Sequence, residues 1–319
     1  MSHSCNWCAS TRVLVTDRNA YHKVDHTFGP FDLFVCQQCG SLGTCNPPSR
    51  ERLASFYRQY HANRPEWYRA GSESGALAAQ YKFYAGHVLK YMPTSGQTWA
   101  DIGAGHGEIA TVLHQHRPDI AGTTIDIGDR PSGLPMGLSH KSVDFNRVNW
   151  RESIEQRFDL VYSVAVWEHV LSPVDFLAQC LRLVSPGGLL VMVTPDFGAP
   201  AARLLKKNWP YYQPGEHISV PTLAGAYECA RRAGYEIGYS DWQFEVSCKP
   251  LWVGYSVSYL LHVLRLKSLA RLVPIERAAP LPTGVLSTIV KVSSDHSKNS
   301  QTHENSETTS AHGIQLRSQ

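Results

Sequence analysis

Residues 99–108 read Trp-Ala-Asp-Ile-Gly-Ala-Gly-His-Gly-Glu, a short apolar run followed by three closely spaced glycines. The apolar run predicts a buried strand, and the glycines predict a tight turn into a helix that begins near Ile109. Glycine is needed where a side chain would keep a ligand away from the backbone. The segment therefore predicts a ligand-binding glycine loop between a strand and a helix. The alternative is a strand-to-helix turn that binds nothing.

The spacing of Gly103, Gly105 and Gly107 distinguishes two kinds of ligand. A dinucleotide-binding loop has the pattern GxGxxG, but the residue three positions after Gly105 is Glu108. This departure favours S-adenosylmethionine, because that molecule has no pyrophosphate to place on the helix N-terminus. Asp101 precedes the first glycine, where it can support the loop and hydrogen-bond toward the cationic methionine end of the ligand.

Two acidic residues follow the next predicted strands. Asp126 comes at the end of the predicted strand 122–125, and a carboxylate there can accept hydrogen bonds from both ribose hydroxyls. The alternative role for Asp126 is that of a helix N-cap or turn residue. Asp144 fits the end of the following strand, where an acid can hold the adenine amino group, and Phe145 can flank the adenine ring.

Short apolar runs alternate with helical patterns from residue 98 to about residue 240. Candidate strands lie at 99–102, 122–125, 160–164 and 189–193. This alternation predicts an α/β fold with a parallel, doubly wound, Rossmann-like sheet. One helix is well marked, because Ser172 can cap it, Pro173 suits its first position, and Ser-Pro-Gly-Gly at 185–188 would end it.

Four of the eight cysteines form two CxxC pairs near the N-terminus, namely Cys5, Cys8, Cys36 and Cys39. Two such pairs can supply four thiolates to a tetrahedral zinc ion, and a closed site of this kind is structural. The alternative is a set of free or redox-active thiols. The pattern predicts a zinc-ribbon-like head, with Cys45 as a spare thiol.

Four segments, in this order, resemble the class I S-adenosylmethionine-dependent methyltransferases: ADIGAGHGE at 100–108, RFDLVYSVAVWEHVLSP at 157–173, LRLVSPGGLLVMVTP at 181–195 and NWPYYQPGEHISV at 208–220. The resemblance covers about residues 96–240. It is to the group with ubiquinone-type O-methyltransferases, bacterial glycan methyltransferases and deoxysugar C-methyltransferases. The cysteine head also resembles that of sugar C-methyltransferases and related enzymes of surface-glycan gene clusters. The resemblance implies a class I methyltransferase fold that uses S-adenosylmethionine.

The sequence departs from two patterns of related enzymes. Metal-dependent ubiquinone-type enzymes carry an acidic residue three positions before the Glu-His pair, where this chain has Ala165. That departure argues against a catalytic metal at Glu168 and His169. The Asn-Pro-Pro-aromatic motif of amino-group methylases is absent after the strand that ends near Val164.

Two histidines are the candidate catalytic residues, because methylation of an alcohol or a carbon acid needs a base. His169 follows the predicted strand 160–164, at the carboxyl edge of the sheet where ligands bind in such folds. His217 lies in a loop with three aromatic residues that can stack on a sugar or ring, namely Trp209, Tyr211 and Tyr212. The alternatives are a helix-start residue bonded to the backbone for His169 and a loop-ordering residue for His217.

The sequence divides into five predicted segments. They are a zinc-binding head (1–45), a helical connector or lid (46–95), the methyltransferase domain (96–245), a C-terminal extension (246–293) and a tail (294–319). The polar composition of the tail predicts disorder. Within the extension, the apolar and then basic stretch 251–273 can lie on a membrane or pack on its own domain.

Composition and charge limit the classes of function that we expect for this chain. A net charge of +3 with 18% charged residues argues against a nucleic-acid partner. Residues 1–20 show no signal peptide, so we expect a cytoplasmic protein. We expect methyl transfer to a small molecule, a sugar or sugar nucleotide, at carbon or oxygen. The alternatives are a zinc-headed RNA methyltransferase and a non-catalytic protein of this fold that binds a partner. The oligomeric state is left open.

Overall fold

The computed structural model describes residues 3–23, 25–59, 76–92, 94, 97–237, 239–243 and 285–291. Its helices are α1 (Arg50–Arg58), α2 (Ala76–Val88), α3 (Glu108–His116), α4 (Pro173–Leu183), α5 (Pro200–Leu205) and α6 (Leu223–Arg232). Its strands are β1 (Val13–Ala20), β2 (Phe31–Cys36), β3 (Leu42–Thr44), β4 (Thr98–Ile102), β5 (Ala121–Asp126), β6 (Ser139–Ser142), β7 (Phe158–Val164), β8 (Val184–Pro195), β9 (Ser219–Val220), β10 (Tyr239–Gln243) and β11 (Val285–Lys291).

Seven strands form the main sheet in the order β6-β5-β4-β7-β8-β11-β10. The strands from β6 to β8 pair in parallel, whereas β11 is antiparallel to both of its neighbours. The chain winds outward from β4 in one direction and from β7 in the other. Ligands bind at such a reversal, outside the carboxyl ends of the strands. The predicted Rossmann-like, doubly wound α/β fold is therefore confirmed.

The central strands bury both of their faces. Ala100 and Ile102 pack in the core that contains residues of α4 and α6, whereas Trp99 packs in the core that contains residues of α2 and α3. Successive side chains of a strand point to opposite faces of the sheet. Apolar residues at consecutive positions therefore suit a parallel sheet with helices on both sides.

The helix marked by the sequence forms as predicted, but its end differs. The Ser172 side chain accepts a hydrogen bond from the Asp175 N–H and so caps α4. The Ser-Pro-Gly-Gly segment, predicted to separate α4 from the next strand, lies within β8. Val184 already pairs with Phe158, and the ladder shifts register directly after that pair. Gly187, at a φ of 82°, lies within the irregular part of the strand.

A second sheet joins the head to the rest of the chain. Its order is β1-β2-β3-β9, and its first three strands lie in the predicted head. The fourth strand, β9, comes from the segment directly after His217, and it pairs antiparallel with β3 through Leu42 and Val220. Backbone hydrogen bonds therefore connect the head to the loop that carries His217.

The C-terminal extension contributes to the main sheet. Strand β11 lies within residues 246–293 and fills the position between β8 and β10. The stretch 251–273, for which membrane contact is predicted, and the tail 294–319 lie outside the described residues. In the described part of the chain, no helix has the length and apolar character needed to span a bilayer.

Candidate active site and cysteine cluster

The glycine loop connects β4 to α3 at the carboxyl edge of the sheet. Gly103, Gly105 and Gly107 have φ values of 77°, 57° and 79°, in the left-handed region that favours glycine. A Cβ on Gly103 would lie 2.2 Å from a Val166 methyl carbon, and a Cβ on Gly107 would lie 2.5 Å from a Leu134 methyl carbon. The loop therefore needs glycine at these positions, and its bare backbone can form a cradle for a ligand.

Asp126 fixes the glycine loop from the end of β5. Its Oδ2 accepts a hydrogen bond from the Gly105 N–H at 2.9 Å, and its Oδ1 accepts one from the Gly128 N–H at 3.3 Å. The Gly103 N–H donates to the Ile125 carbonyl at 2.7 Å. The Asp126 side chain remains partly exposed. A ligand hydroxyl can therefore approach a carboxylate whose position is already set.

Asp101 is a buried carboxyl at the base of the loop. Burial raises its pKa to about 8, the nearby acids Asp126 and Glu108 act in the same direction, and the Tyr162 hydroxyl partly opposes the shift. The carboxyl is therefore largely protonated at neutral pH while no cation is near it. A cationic ligand group at this point would favour the ionised form.

Asp144 and Phe145 follow β6 and have protein partners. The Asp144 Oδ2 accepts a hydrogen bond from Arg50 Nε of α1 at 3.0 Å. The Phe145 ring packs edge-to-face on Trp150 and Phe176, at centroid distances of 5.0 and 5.6 Å. Contact of these two residues with an adenine ring stays a prediction.

Glu168 and His169 lie on the 3-10 turn Trp167–His169 that follows β7. Glu168 is fully buried, and its Oε2 accepts a hydrogen bond from Thr194 Oγ1 at 2.9 Å. Its Oε1 has no hydrogen-bond partner among the residues that the structure describes, and it lies 3.7 Å from His169 Nε2. Burial raises the pKa of Glu168, and the neighbouring His169 opposes that shift.

The structure brings His169 and His217 together, with ring centroids 4.6 Å apart. His169 Nδ1 lies 2.9 Å from the Glu216 carbonyl oxygen, and His217 Nδ1 lies 2.6 Å from the Tyr211 carbonyl oxygen. A carbonyl can only accept a hydrogen bond, so each Nδ1 carries the proton. In both rings Nε2 is therefore the basic nitrogen.

Tyr57 is a site residue that the sequence analysis missed. Its hydroxyl lies 2.9 Å from His169 Nδ1 and donates to the Glu216 carbonyl at 2.9 Å. Tyr57 lies on α1, within the aromatic-rich connector. No motif marks a single tyrosine in such a stretch, because its role depends on where α1 packs.

The aromatic residues near His217 are only partly placed as predicted. Trp209 is completely buried, so the prediction that it stacks on an acceptor is wrong. Tyr212 is also buried, and its hydroxyl donates to Asp17 at 2.7 Å. Tyr211 is partly exposed, and its ring lies nearly parallel to that of His217 at a centroid distance of 6.3 Å. Tyr211 is thus the aromatic residue of the three that can contact an acceptor.

Glu168, His169 and His217 each offer one donor atom, and these atoms lie within 4.8 Å of one another. One divalent cation can reach three donors at that spacing. Ala165, at a φ of 54°, adds no carboxylate to the group. The two histidines can alternatively act on an acceptor proton.

The four cysteines of the two CxxC pairs converge in the head. The Sγ atoms of Cys5 and Cys39 are 3.7 Å apart, those of Cys8 and Cys36 are 3.5 Å apart, and all four side chains are buried. A tetrahedral zinc ion with Zn–S bonds of about 2.3 Å separates its sulfurs by roughly 3.8 Å. A disulfide needs about 2.05 Å. The arrangement therefore fits a four-thiolate zinc site.

The two CxxC turns are built alike. The Ala9 N–H donates to the Cys5 carbonyl at 2.8 Å, and the Gly40 N–H donates to the Cys36 carbonyl at 2.9 Å. The residue after each second cysteine has a positive φ, 60° at Ala9 and 77° at Gly40. This repeated geometry directs two thiols from each turn into one volume.

Comparison with known proteins connects this architecture to a family. The family model described as a methyltransferase domain matches residues 77–239, roughly half of the 319-residue chain. The ubiquinone biosynthesis O-methyltransferase of Roseobacter denitrificans is 31% identical over 109 residues, which are 32% of this chain and 42% of that protein. The chain thus spans less than half the length of this relative.

Two solved structures share the fold. One is a chain of the complex between the Haloferax volcanii Trm112 methyltransferase activator and a methyltransferase. It has a TM-score of 0.52 and 15% identity, over 76% of this chain and 97% of that chain. The other is the magnesium protoporphyrin IX methyltransferase of Synechocystis PCC 6803 with bound SAH, at a TM-score of 0.50 and 12% identity, over 77% of this chain and 100% of that chain. Likeness at these identities shows the fold alone.

Proposed function

Because the chain belongs to the methyltransferase-domain family, we propose that it transfers a methyl group from S-adenosylmethionine to a small-molecule acceptor. The acceptor that we favour is a sugar or sugar nucleotide, methylated at a carbon or an oxygen. The observation that carries this proposal is the pairing of His169 and His217 at the carboxyl edge of the sheet, where the glycine loop also lies. Gly103 packs directly against Val166, which lies three residues before His169.

The residues of the glycine loop fit S-adenosylmethionine. Gly103 and Gly105 leave a bare backbone at the carboxyl edge of the sheet. Asp126 would accept hydrogen bonds from the ribose hydroxyls, and Asp101 would face the cationic methionine end. The support for this fit is the bare backbone at Gly105, which Asp126 holds in place, and the buried carboxyl of Asp101 at the base of the loop.

The two histidines would handle the acceptor proton. S-adenosylmethionine, when bound, supplies a methyl group that an acceptor oxygen or carbon attacks in line as the methyl–sulfur bond breaks. His217 would take the acceptor proton on Nε2, because a backbone carbonyl holds the proton on its Nδ1. His169 would orient the acceptor or share the proton, and Tyr57 fixes its ring. A positioned base of this kind contributes about 10²- to 10⁴-fold to the rate.

The cysteine cluster would hold a structural zinc ion. Its four thiolates would complete a tetrahedral shell, and a complete shell leaves no position for a substrate. The sulfur separations and the burial of all four cysteines support this assignment. We assign the zinc to the folding of the head.

Calorimetric titration with S-adenosylmethionine tests the cofactor. We expect a Kd on the order of 1 µM, equivalent to about 8 kcal/mol. Asp126→Asn should weaken binding at least about tenfold, because the amide loses one acceptor and the negative charge. Asp129→Asn, at an exposed position of the same turn, is the matched control and should bind like the wild type. Absence of binding by the folded wild type would contradict the proposal.

The affinity for S-adenosylmethionine should also depend on pH. Asp101 has a pKa of about 8 in the free protein, so a cationic ligand that needs its carboxylate displaces a proton on binding. Between about pH 6 and pH 7.5 the affinity should rise with pH, by up to about tenfold per pH unit. Asp101→Asn should remove this slope. A pH-independent affinity in the wild type would show that Asp101 does not face the cationic end.

A screen of acceptors separates the remaining possibilities. Methylation of nucleotide sugars, detected by mass spectrometry, would support the favoured acceptor class. Methylation of phenols alone would replace it with an aromatic hydroxyl, as the name of the Roseobacter relative suggests. A requirement for added Mg²⁺ or Mn²⁺ would assign Glu168, His169 and His217 to a cation instead of the proton.

A further inference from the structure

The loop of residues 209–218, here called the PGEH loop, carries His217 and is held at both ends by the head. At the first end, Lys23 Nζ donates to the Trp209 carbonyl at 2.9 Å. At the last end, Thr44 Oγ1 donates to the Ile218 carbonyl at 2.8 Å. Both donors lie in the predicted zinc-binding head, so the head holds the loop at its first and last residues.

A buried hydrogen bond between an imidazole and a carboxylate lies between these two ends. His22 Nε2 and Glu216 Oε2 are 2.6 Å apart, and the side chains are only 2% and 1% exposed. His22 Nδ1 accepts a hydrogen bond from the Asp25 N–H at 2.9 Å, so Nε2 carries a proton and donates it to the carboxylate. A carboxylate at this depth needs such a donor, because burial without one is strongly unfavourable.

The backbone of Glu216 connects this pair to the candidate bases. Its carbonyl accepts hydrogen bonds from the Tyr57 hydroxyl and from His169 Nδ1, each at 2.9 Å. The next residue is His217, whose Nδ1 reaches across the loop to the Tyr211 carbonyl at 2.6 Å. A displacement of Glu216 would therefore disturb the contacts that set the tautomers of both histidines.

We propose that His22 is a positioning residue for methyl transfer. Its bond to Glu216 holds the PGEH loop in the register that keeps the proton on Nδ1 of His169 and His217. The head accordingly supports the loop that carries His217, and His22 acts on the reaction through Glu216 without touching the reacting atoms. This inference rests on the proposed function, because it assigns His22 a role in that proton chemistry.

Nitrogen-15 NMR of the histidine side chains in the whole 319-residue chain tests the inference. The signals of His217 are assigned with His217→Gln, and the wild type should show one tautomer with Nδ1 protonated. His22→Leu should lose this single tautomer, since it cannot donate to Glu216. His22→Gln should retain it, because the glutamine Nε2 can donate from the same place. Arg18→Gln, at a head residue whose side chain is 71% exposed, is the control and should change nothing.

Folding and cofactor binding are measured on the same samples. If His22→Leu does not fold, the double variant His22→Leu/Glu216→Met replaces it, because that variant also removes the buried charge. Zinc content and melting temperature establish that the variant is folded. A folded variant that loses the His217 tautomer supports the inference.

Two other results would overturn the inference. One is a wild-type-like His217 spectrum in a folded variant that lacks the His22 donor, and the other is a mixture of tautomers in the wild type. Titration with S-adenosylmethionine keeps the two proposals apart. A wild type that does not bind it contradicts the proposed function, whereas normal binding with an unchanged His217 tautomer overturns only the role of His22.

Discussion

His217→Gln should lower kcat for methyl transfer by about 10²- to 10⁴-fold while the Kd for S-adenosylmethionine stays within about twofold. Glutamine still carries a hydrogen-bond donor, but it cannot take a proton. The variant thus removes the base and keeps a polar side chain at this position of the loop. Initial rates with an acceptor from the screen measure the effect.

His116→Gln is the matched control for this experiment. His116 is exposed near the end of α3, and its Nδ1 lies 2.9 Å from a carbonyl of its own helix. The His116→Gln variant should therefore have the same rate of methyl transfer as the wild type. His169→Gln should also lower kcat, and the double variant should lose less than the product of the two single effects, because paired residues act as a unit. A rate for His217→Gln within about threefold of the wild type would remove His217 from the proton chemistry.

Cys39→Ser should abolish zinc binding and destabilise the protein, by on the order of 5 kcal/mol or more, because the binding energy of a structural zinc ion is folding energy. The wild type should contain one zinc ion per chain, by mass spectrometry of the metal. Denaturant unfolding measures the stability. The Cys39 carbonyl also accepts a hydrogen bond from the Thr222 hydroxyl, whose side chain caps α6, so the loss extends beyond the head.

Cys45→Ser is the matched control for the zinc site. Cys45 is a partly buried thiol that does not belong to the four-cysteine cluster, so its replacement should leave the zinc content unchanged. A wild type that purifies without metal, and that unfolds at the same denaturant concentration with and without a chelator, would contradict the zinc assignment. In that case the head would be held by packing alone.

The features that the sequence predicted correctly are local ones. The glycine loop, the cap at Ser172 and the alternation of strands and helices each depend on residues that are neighbours in the chain. A glycine adopts a positive φ readily because it has no Cβ, and a serine before a helix can accept a hydrogen bond from the first helical turn. The two CxxC pairs likewise predict a shared metal site, because each short turn directs both of its thiols in the same direction.

Several features of the site could not be predicted from local sequence patterns. Arg50 pairs with Asp144, Tyr57 contacts His169, and Trp209 is buried in a cluster with residues of the head and of α1. Each of these depends on how α1 and the PGEH loop pack against the sheet. A sequence pattern reports which residue types are present, but not which of them a distant helix will cover.

The sequence by itself determined the doubly wound sheet, the glycine loop and the turn within each CxxC pair, because short-range sterics and hydrophobic periodicity suffice for these. The tertiary structure alone decided that the head packs against the loop that carries His217. Strand β9 adds to the head sheet, and this brings His22 to Glu216 across 194 positions of the chain. Such a contact follows from the pairing of strands from separate segments, and no local pattern encodes that pairing.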